Sequence, residues 1–465
     1  MSKKNQNYTN RKQNRFQPGR MRRNVFVNNS GKQWLPGENG RAAKVERLLR
    51  GLEKKEIAGN MAGYKDSGVE WIGAIPKGWK VDRTKYHVII KNGKDPVESG
   101  DIPVYGSGKE SFRTCGEYKT GPAVLLGRKG SILEPKYVEG KFWNVDTAFD
   151  AYTKKDMVLK YFFYAACCFD CEKLSWTTTI PSMTQTGYGN LNIPLPPLPE
   201  QQRIADFLDA KCGILDRTID AVSRQIEDLE KYKKALIIKT VTKGICKKGE
   251  PERAMKDSGV EWIGEVPEEW SVKPFKALAG MKGSSEYTAR DIVDEGEGAI
   301  LLSPSNINDN ELNLSKRTYI SQKKYDKSTT KIQRGDLLFT KTASVGKCVI
   351  YDSDEPAMPN PQLVVLKNIK CLPKFLYYSM VSDVMQAPTK MYVYGSVIPT
   401  ISQLNLGRIK IPVPSPEEQQ QIADYLDEKC KNIDNRVQKR KQQLEWLKEY
   451  KKSLIFDYVT GKKRV

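Results

Sequence analysis

Three cysteines, Cys167, Cys168 and Cys171, stand close enough together to suggest metal ligands, but the chain holds a single histidine, His87. Cys167 and Cys168 follow the apolar run Tyr-Phe-Phe-Tyr-Ala-Ala, which favours buried thiols over a zinc site. One histidine does not define a general base. Pro359-Asn360-Pro361-Gln362 resembles an amino-methyltransferase tetrapeptide only superficially, and neither Asn-Pro-Pro-aromatic nor Asp-Pro-Pro-Tyr is present. The run Thr342 to Cys348 ends like a phosphate-binding loop, yet Lys341 stands where the first glycine belongs and no Ser or Thr follows Lys347. Gly106-Ser107-Gly108-Lys109 fails for similar reasons, and no recognisable nuclease set of carboxylates exists. The expectation is a chain with no catalytic residues, no metal ligands and no cofactor of its own. What remains are basic and hydroxyl side chains in polar, glycine-flanked loops: Lys109, Arg128, Lys129, Ser131, Thr178 and Tyr188 in one half of the chain, and Lys341, Thr342, Ser344, Lys347, Tyr394 and Ser396 in the other. Such groups suit hydrogen bonds to phosphate oxygens and base edges, and Gly106, Gly108, Gly130 and Gly395 permit close backbone approach.

The charge points the same way. A formal net charge of +21 implies a polyanionic partner, most simply nucleic acid. Residues 1–50 hold thirteen Lys and Arg against Glu38 and Glu46, so +11 of the charge lies there and the body is only mildly basic. Contacts in the body must therefore rest on placed residues. Residues 1–60 are too polar to fold alone and read as a basic, disordered arm, with a short helix expected over Arg41–Glu56. The arm either docks through that helix or lies along phosphates. No run of eighteen apolar residues exists, the N-terminus has no apolar signal core, and nine cysteines lack disulfide spacing, so a reducing cytoplasm is expected.

Positioning the loops falls to a stretch that occurs twice, at an offset of 218 residues: from Pro199 (199–245) and from Pro416 (416–465). In the first copy Leu208, Leu215, Val222, Leu229 and Leu236 recur every seven residues, with Ile219 and Ile226 between them. In the second, Leu426, Ile433, Leu447 and Leu454 hold the same line beside Val437 and Leu444. This spacing predicts two long helices, each about 60 Å long, that pair as a coiled coil. Ser415, Pro416 and Glu418 form an N-terminal capping box, and Gly244 and Gly461 mark the stops. Arg440 stands opposite the pattern where the first copy has Val222.

A second repeat has a different offset. Asp66–Gly73 and Asp257–Gly264 both read Asp-Ser-Gly-Val-Glu-Trp-Ile-Gly, followed by Pro76 and Trp79 or Pro267 and Trp270, 191 residues apart. The interior after the second motif is thus 27 residues longer than the first. The chain is two half-repeats, each a globular domain of mixed α/β character followed by a rod: residues 61–198 and 246–415 for the domains, 199–245 and 416–465 for the helices. Strands are expected over 123–133, 141–152 and 335–352, with helices over 156–169 and 373–385. Both domains close on Ile-Pro-x-x-x-Gln, at Ile180 and Ile398, and a proline-rich strand.

The ordered set of these motifs resembles the specificity subunits of type I restriction–modification systems over about residues 61–465. The resemblance rests on the duplicated Asp-Ser-Gly-Val-Glu-Trp-Ile-Gly, on Gly-Arg-Lys-Gly-Ser-Ile and Asp-Thr-Ala-Phe in the first domain, and on Gly-Asp-Leu-Leu-Phe-Thr-Lys-Thr in the second. It also rests on the helix starts and the Tyr-Lys-Lys…Val-Thr helix ends. It implies an α+β fold with two target-recognition domains in a pseudo-two-fold arrangement, joined by an antiparallel coiled coil that sets the gap between two halves of a split DNA target. It further implies two methyltransferase (modification) subunits using S-adenosylmethionine and restriction subunits using ATP and Mg, with no membrane. Such a symmetric pair suits successive major grooves, where each base pair presents its own donor and acceptor pattern. An autonomous nuclease or methyltransferase, a coiled-coil scaffold, and a stand-alone DNA-binding protein without restriction partners stay open as alternatives.

Overall fold

The computed structural model describes residues 63–132, 134–169, 181–245, 249, 253–284 and 286–465. The basic arm with its expected helix, Cys171 and Thr178 lie outside the described residues. The chain forms two compact units, Met1–Ile204 with Asp457–Val465, and Ala205–Phe456.

The main sheet of the first unit contains β1 (Val88–Asn92), β2 (Ala123–Gly127), β3 (Lys136–Val138) and β4 (Ala148–Thr153), in the spatial order β1-β4-β2-β3, all antiparallel. All five residues of β2 are buried, as a central strand covered on both faces requires. The expected 141–152 strand region splits. Lys141–Asn144 joins a second sheet, where it runs parallel to Ile102–Tyr105, and a turn at Val145–Thr147 redirects the chain into β4. Helix α1 (Leu159–Ala166) buries Tyr161, Phe162, Tyr164, Ala165 and Ala166. The Tyr161 hydroxyl lies 2.9 Å from the Pro194 carbonyl and 3.2 Å from that of Val459.

Helix α2 (Leu198–Lys243) is 46 residues long. In the second unit, β5 (Gly280–Lys282), β6 (Leu337–Thr340), β7 (Cys348–Ile350) and β8 (Leu363–Lys367) repeat the first sheet's arrangement as β5-β8-β6-β7. Helix α3 (Pro373–Val381) takes the place of α1. The second, smaller sheet again sets an antiparallel neighbour beside a parallel pair, with Gly298–Leu302 between Tyr319–Ser321 and Ala357–Pro359. The interiors therefore share a topology their sequences conceal. Most of the extra length sits before β6: residues 283–336 separate β5 from β6, where 93–122 separate β1 from β2. That insertion includes a two-residue hairpin turn at Asp309 and Asn310, both with positive φ, as a type I′ turn demands. The Asn310 side chain accepts from the Cys348 amide at 3.0 Å, fastening the insertion to β7.

Helix α4 (Pro416–Val459) is the second rod. Within the second unit the rods run antiparallel: Lys451 pairs with Asp216 at 2.6 Å, Lys441 with Glu230 at 3.4 Å and Lys233 with Asp434 at 2.6 Å. Leu208, Leu215, Val222, Ile226, Leu426, Ile433, Val437, Leu447 and Leu454 are buried, and Ile219, Leu229, Leu236 and Leu444 are half-buried. Cys212 and Cys430 are buried too and complete the alternating four-and-three spacing. Burial pushes the Cys430 thiol up to about 11. Arg440 is half-buried, its guanidinium turned along the rod to donate to Gln443 Oε1 at 2.7 Å.

The repeated motifs meet at the rod starts. The buried Trp79 donates its indole N–H to Glu200 at 3.0 Å, and Trp270 donates to Glu418 at 2.8 Å. One residue on, Gln201 accepts from the Val158 amide at 2.9 Å and Gln419 from the Leu372 amide at 2.8 Å, so each caps its domain's helix. The expected capping box is half-formed: Ser415 accepts from the Glu418 amide at 3.2 Å, but the Glu418 carboxylate is held by Trp270 and Arg253 instead of returning to Ser415. Gly244 and Gly461 end the helices.

Candidate nucleic-acid interface

The predicted loop residues gather on two copies of one backbone device. In the first unit, the turn after β2 pairs with the segment that begins at Pro181. The Gly130 amide donates to the Pro181 carbonyl at 2.8 Å, the Met183 amide to the Arg128 carbonyl at 2.9 Å, and Lys129 faces Ser182 in an antiparallel bridge. In the second unit, the Ala343 amide donates to Pro399 at 2.9 Å, the Ile401 amide to Lys341 at 2.9 Å, and Thr342 faces Thr400. Even the entry is the same: the Arg128 amide donates to Thr147 at 2.8 Å and the Lys341 amide to Gln362 at 2.9 Å. The turn needs a left-handed residue, which is Gly130 at φ 81 in the first unit and Ala343 at φ 65 in the second. The anchoring side chains Met183 and Ile401 are buried, so each clamp is rooted in its own domain core.

The side chains on these clamps differ in what they can reach. Lys129 and Ser131 are exposed, and Arg128 is half-buried with its guanidinium donating to the Asp146 carbonyl at 3.2 Å. Lys109 is exposed but pairs with Glu134 at 3.3 Å, which offsets part of its charge. Tyr188 is a correction. Its glycine-flanked position suggested a surface phenol, but it is 1% exposed, with its hydroxyl 2.8 Å from the Gly127 carbonyl and 2.9 Å from that of Ile132. It closes the turn from behind, because the helix Gln185–Asn190 directs that face into the core. Lys341, Thr342 and Ser344 are half-buried, and Tyr394 and Ser396 are exposed. Lys347 is half-buried, and its ammonium donates to the Ile307 carbonyl at 3.0 Å, tying the insertion's hairpin to the loop.

Sequence reasoning missed two residues that shape these loops. Lys136 donates to the Gly108 carbonyl at 2.5 Å and lies 4.4 Å from the Tyr105 ring centre, and desolvation holds its ammonium below the usual lysine range. Thr340 accepts from the Lys347 amide at 2.9 Å, closing the second loop from within the strand. A signal was present all the same. Residues 118–133, 173–199, 337–351 and 384–416 contain no carboxylate. Together these are 91 residues, and at the chain's overall rate of 56 Asp and Glu in 465 they would hold about eleven. They include both clamp turns and both segments that pair with them. Exposed Lys and hydroxyl groups on segments that carry no carboxylate of their own suit a polyanion.

Among the described residues no group of three or more His, Cys, Asp or Glu comes together to hold a metal ion, and no helix is long and apolar enough to cross a membrane. The expectation of two buried thiols is corrected: Cys167 is exposed, and Cys168 is half-buried, its thiol 3.5 Å from the Tyr164 carbonyl and raised well above the usual range by desolvation. His87 is spent between Asp156 at 2.6 Å and Asp82 at 3.2 Å.

Comparison with known proteins agrees with this geometry. The family described as type I restriction modification DNA specificity domain matches twice, at residues 82–231 and 267–446. The chain is 28% identical over 296 residues to the type I restriction enzyme MjaVIII specificity subunit of Methanocaldococcus jannaschii, covering 62% of this chain and 66% of that protein. It is 24% identical over 363 residues to the EcoBI specificity subunit of Escherichia coli, covering 73% and 71%. A chain from a solved structure concerned with complex assembly and conformational transition of the type I R-M system superposes with a TM-score of 0.62 at 16% identity, covering 83% of this chain and 98% of that one. The matches to the M. jannaschii relatives MjaVIII and MjaX span just under two thirds of those proteins. The duplicated family match, covering more than half of the sequence and falling on both clamps and most of both rods, places this chain among the specificity subunits of type I restriction–modification systems.

Proposed function

We propose that this chain is the non-catalytic DNA-recognition subunit of a type I restriction–modification complex. Each clamp reads one half of a split target, and the chain brings methyltransferase and restriction subunits to that target. The observation that carries this reading is the duplicated, carboxylate-free clamp. Two copies of one backbone frame present different side chains, Arg128, Lys129 and Ser131 in one and Lys341, Thr342 and Ser344 in the other. Backbone atoms busy in the clamp cannot read bases, so the frame supplies position. The projecting lysines and hydroxyls supply phosphate contacts and hydrogen bonds to base edges. A different side-chain set on an unchanged frame gives a different half-site.

Catalysis then belongs to the partners. S-adenosylmethionine would sit on two modification subunits, and ATP and Mg on the restriction subunits. The family membership, the lack of catalytic motifs in the sequence and the shape of the clamps support this division. The test is methylation sequencing of DNA from cells that express the modification subunit with and without this chain. A bipartite adenine-methylated motif that appears only with the chain is expected. Methylation that is independent of the chain, or a motif with one continuous half, overturns the reading.

A further inference from the structure

The second clamp continues into a hairpin whose tip the fold leaves unused. Tyr394 and Thr400 exchange both backbone hydrogen bonds, at 2.9 and 2.8 Å, and Thr400 also faces Thr342 of the basic turn. A three-stranded ribbon thus carries Gly395-Ser396-Val397-Ile398-Pro399 at its end. Val397 is 90% exposed and Met391 72%, with Tyr394 and Ile398 more than half exposed. Apolar side chains held out on a backbone-paired ribbon gain nothing from the fold, and a cluster of them marks a contact surface.

The surroundings identify what covers it. Residues 384–416 hold no carboxylate, the turn paired with the hairpin holds none, and Lys341 and the exposed Lys390 flank the tip in sequence or by pairing. That is complementary to duplex DNA. Val397 and Ile398 cannot bond phosphates or base-edge donors, and the one apolar feature that DNA displays in the major groove is the thymine 5-methyl group. The major groove also admits a two-stranded ribbon. An apolar wedge in the minor groove is the rival reading, and removal of the thymine methyl separates the two, because that methyl lies in the major groove. We propose that Val397 and Ile398 read thymine methyl groups in the half-site of the second unit, so that this half-site contains at least one A·T pair at a defined position. This rests on the reading of the chain as a DNA-recognition subunit.

The test uses the complex with its modification subunit and the target duplex identified by methylation sequencing. Each thymine of the second half-site is replaced in turn by deoxyuridine, which removes only the methyl group, and binding is compared for the wild type and a V397S/I398T variant. One thymine-to-deoxyuridine change is expected to weaken the wild type about 4-fold per methyl lost. The variant should bind the thymine duplex about 4- to 16-fold less tightly and show no further loss on deoxyuridine, while its binding to non-specific DNA and its melting temperature stay unchanged. Equal wild-type affinity for thymine and deoxyuridine duplexes, or a half-site without A·T pairs, overturns the assignment while leaving sequence-specific binding intact. Loss of assembly with the modification subunit in the variant also overturns it, since the tip would then be a protein contact. A wild type with no sequence preference at all sinks the DNA-recognition reading, and this proposal with it.

Discussion

The two clamps make the most informative comparison within the molecule. Their backbone hydrogen bonds correspond one for one, yet the means of holding the turn differ. In the first unit β2 ends on Gly127, where a Cβ would stand 2.3 Å from the Ser131 carbonyl oxygen, and the turn is braced from behind by the Tyr188 hydroxyl. In the second unit Thr340 stands where Gly127 does, and its own hydroxyl braces the turn, donating to the Ser344 carbonyl and accepting from the Lys347 amide. Position 188 then has no phenol to supply: the residue 218 further on is Leu406, which is simply buried. The two turns are equally long, since Val124 faces Tyr137 across one and Leu337 faces Ile350 across the other. What differs is the path of the turn, which crowds the strand end at Gly127 and calls for a distant brace but leaves space at Thr340 for a local one. The frame is thus kept while the brace and the presented surface change.

The largest effects should appear where the units are most alike. Trp79→Ala and Trp270→Ala each remove a buried indole that joins a domain to its rod start, and each should destabilise its own unit by about 3–5 kcal/mol. Hydrogen exchange resolved by unit would measure this; unequal losses would show that one junction is not equivalent to the other. Next come the braces. Tyr188→Phe and Thr340→Val should each cost about 1–3 kcal/mol. Tyr188→Phe should raise exchange at the Gly130 and Met183 amides only, and Thr340→Val at those of Ala343 and Ile401 only. Exchange rising in both clamps after either change would break the comparison. A smaller effect of opposite sign is expected at the left-handed turn. Ala343→Gly should stabilise the second clamp by about 1 kcal/mol, and Gly130→Ala should cost the first about as much. Smallest of all, Lys233→Met on the rod surface should cost about 0.2–1 kcal/mol at low salt and less as salt is raised, read from denaturant unfolding.

The sequence alone settled whatever depends on local periodicity. The heptad line from Leu208 to Leu229 and from Leu426 to Leu454 identified both rods, because a narrow apolar stripe on a helix has to be buried. The two repeat offsets likewise disclosed the duplication and which half carries the longer interior. Even so, Cys212 and Cys430 passed unnoticed as seam residues, since cysteine is a small hydrophobe whose chemistry draws attention away from its packing. Tertiary structure decided what distant segments do together. Nothing near Glu200 or Gln201 announces a bond to Trp79 or a cap on Val158, and nothing near Tyr188 distinguishes an exposed phenol from a brace under Gly127. The clamp itself joins residues about fifty apart through main-chain atoms, and main-chain hydrogen bonding is blind to side-chain identity. For the same reason the two domain interiors share one sheet topology although, apart from the closing Ile-Pro-x-x-x-Gln and proline-rich strand, their sequences have diverged.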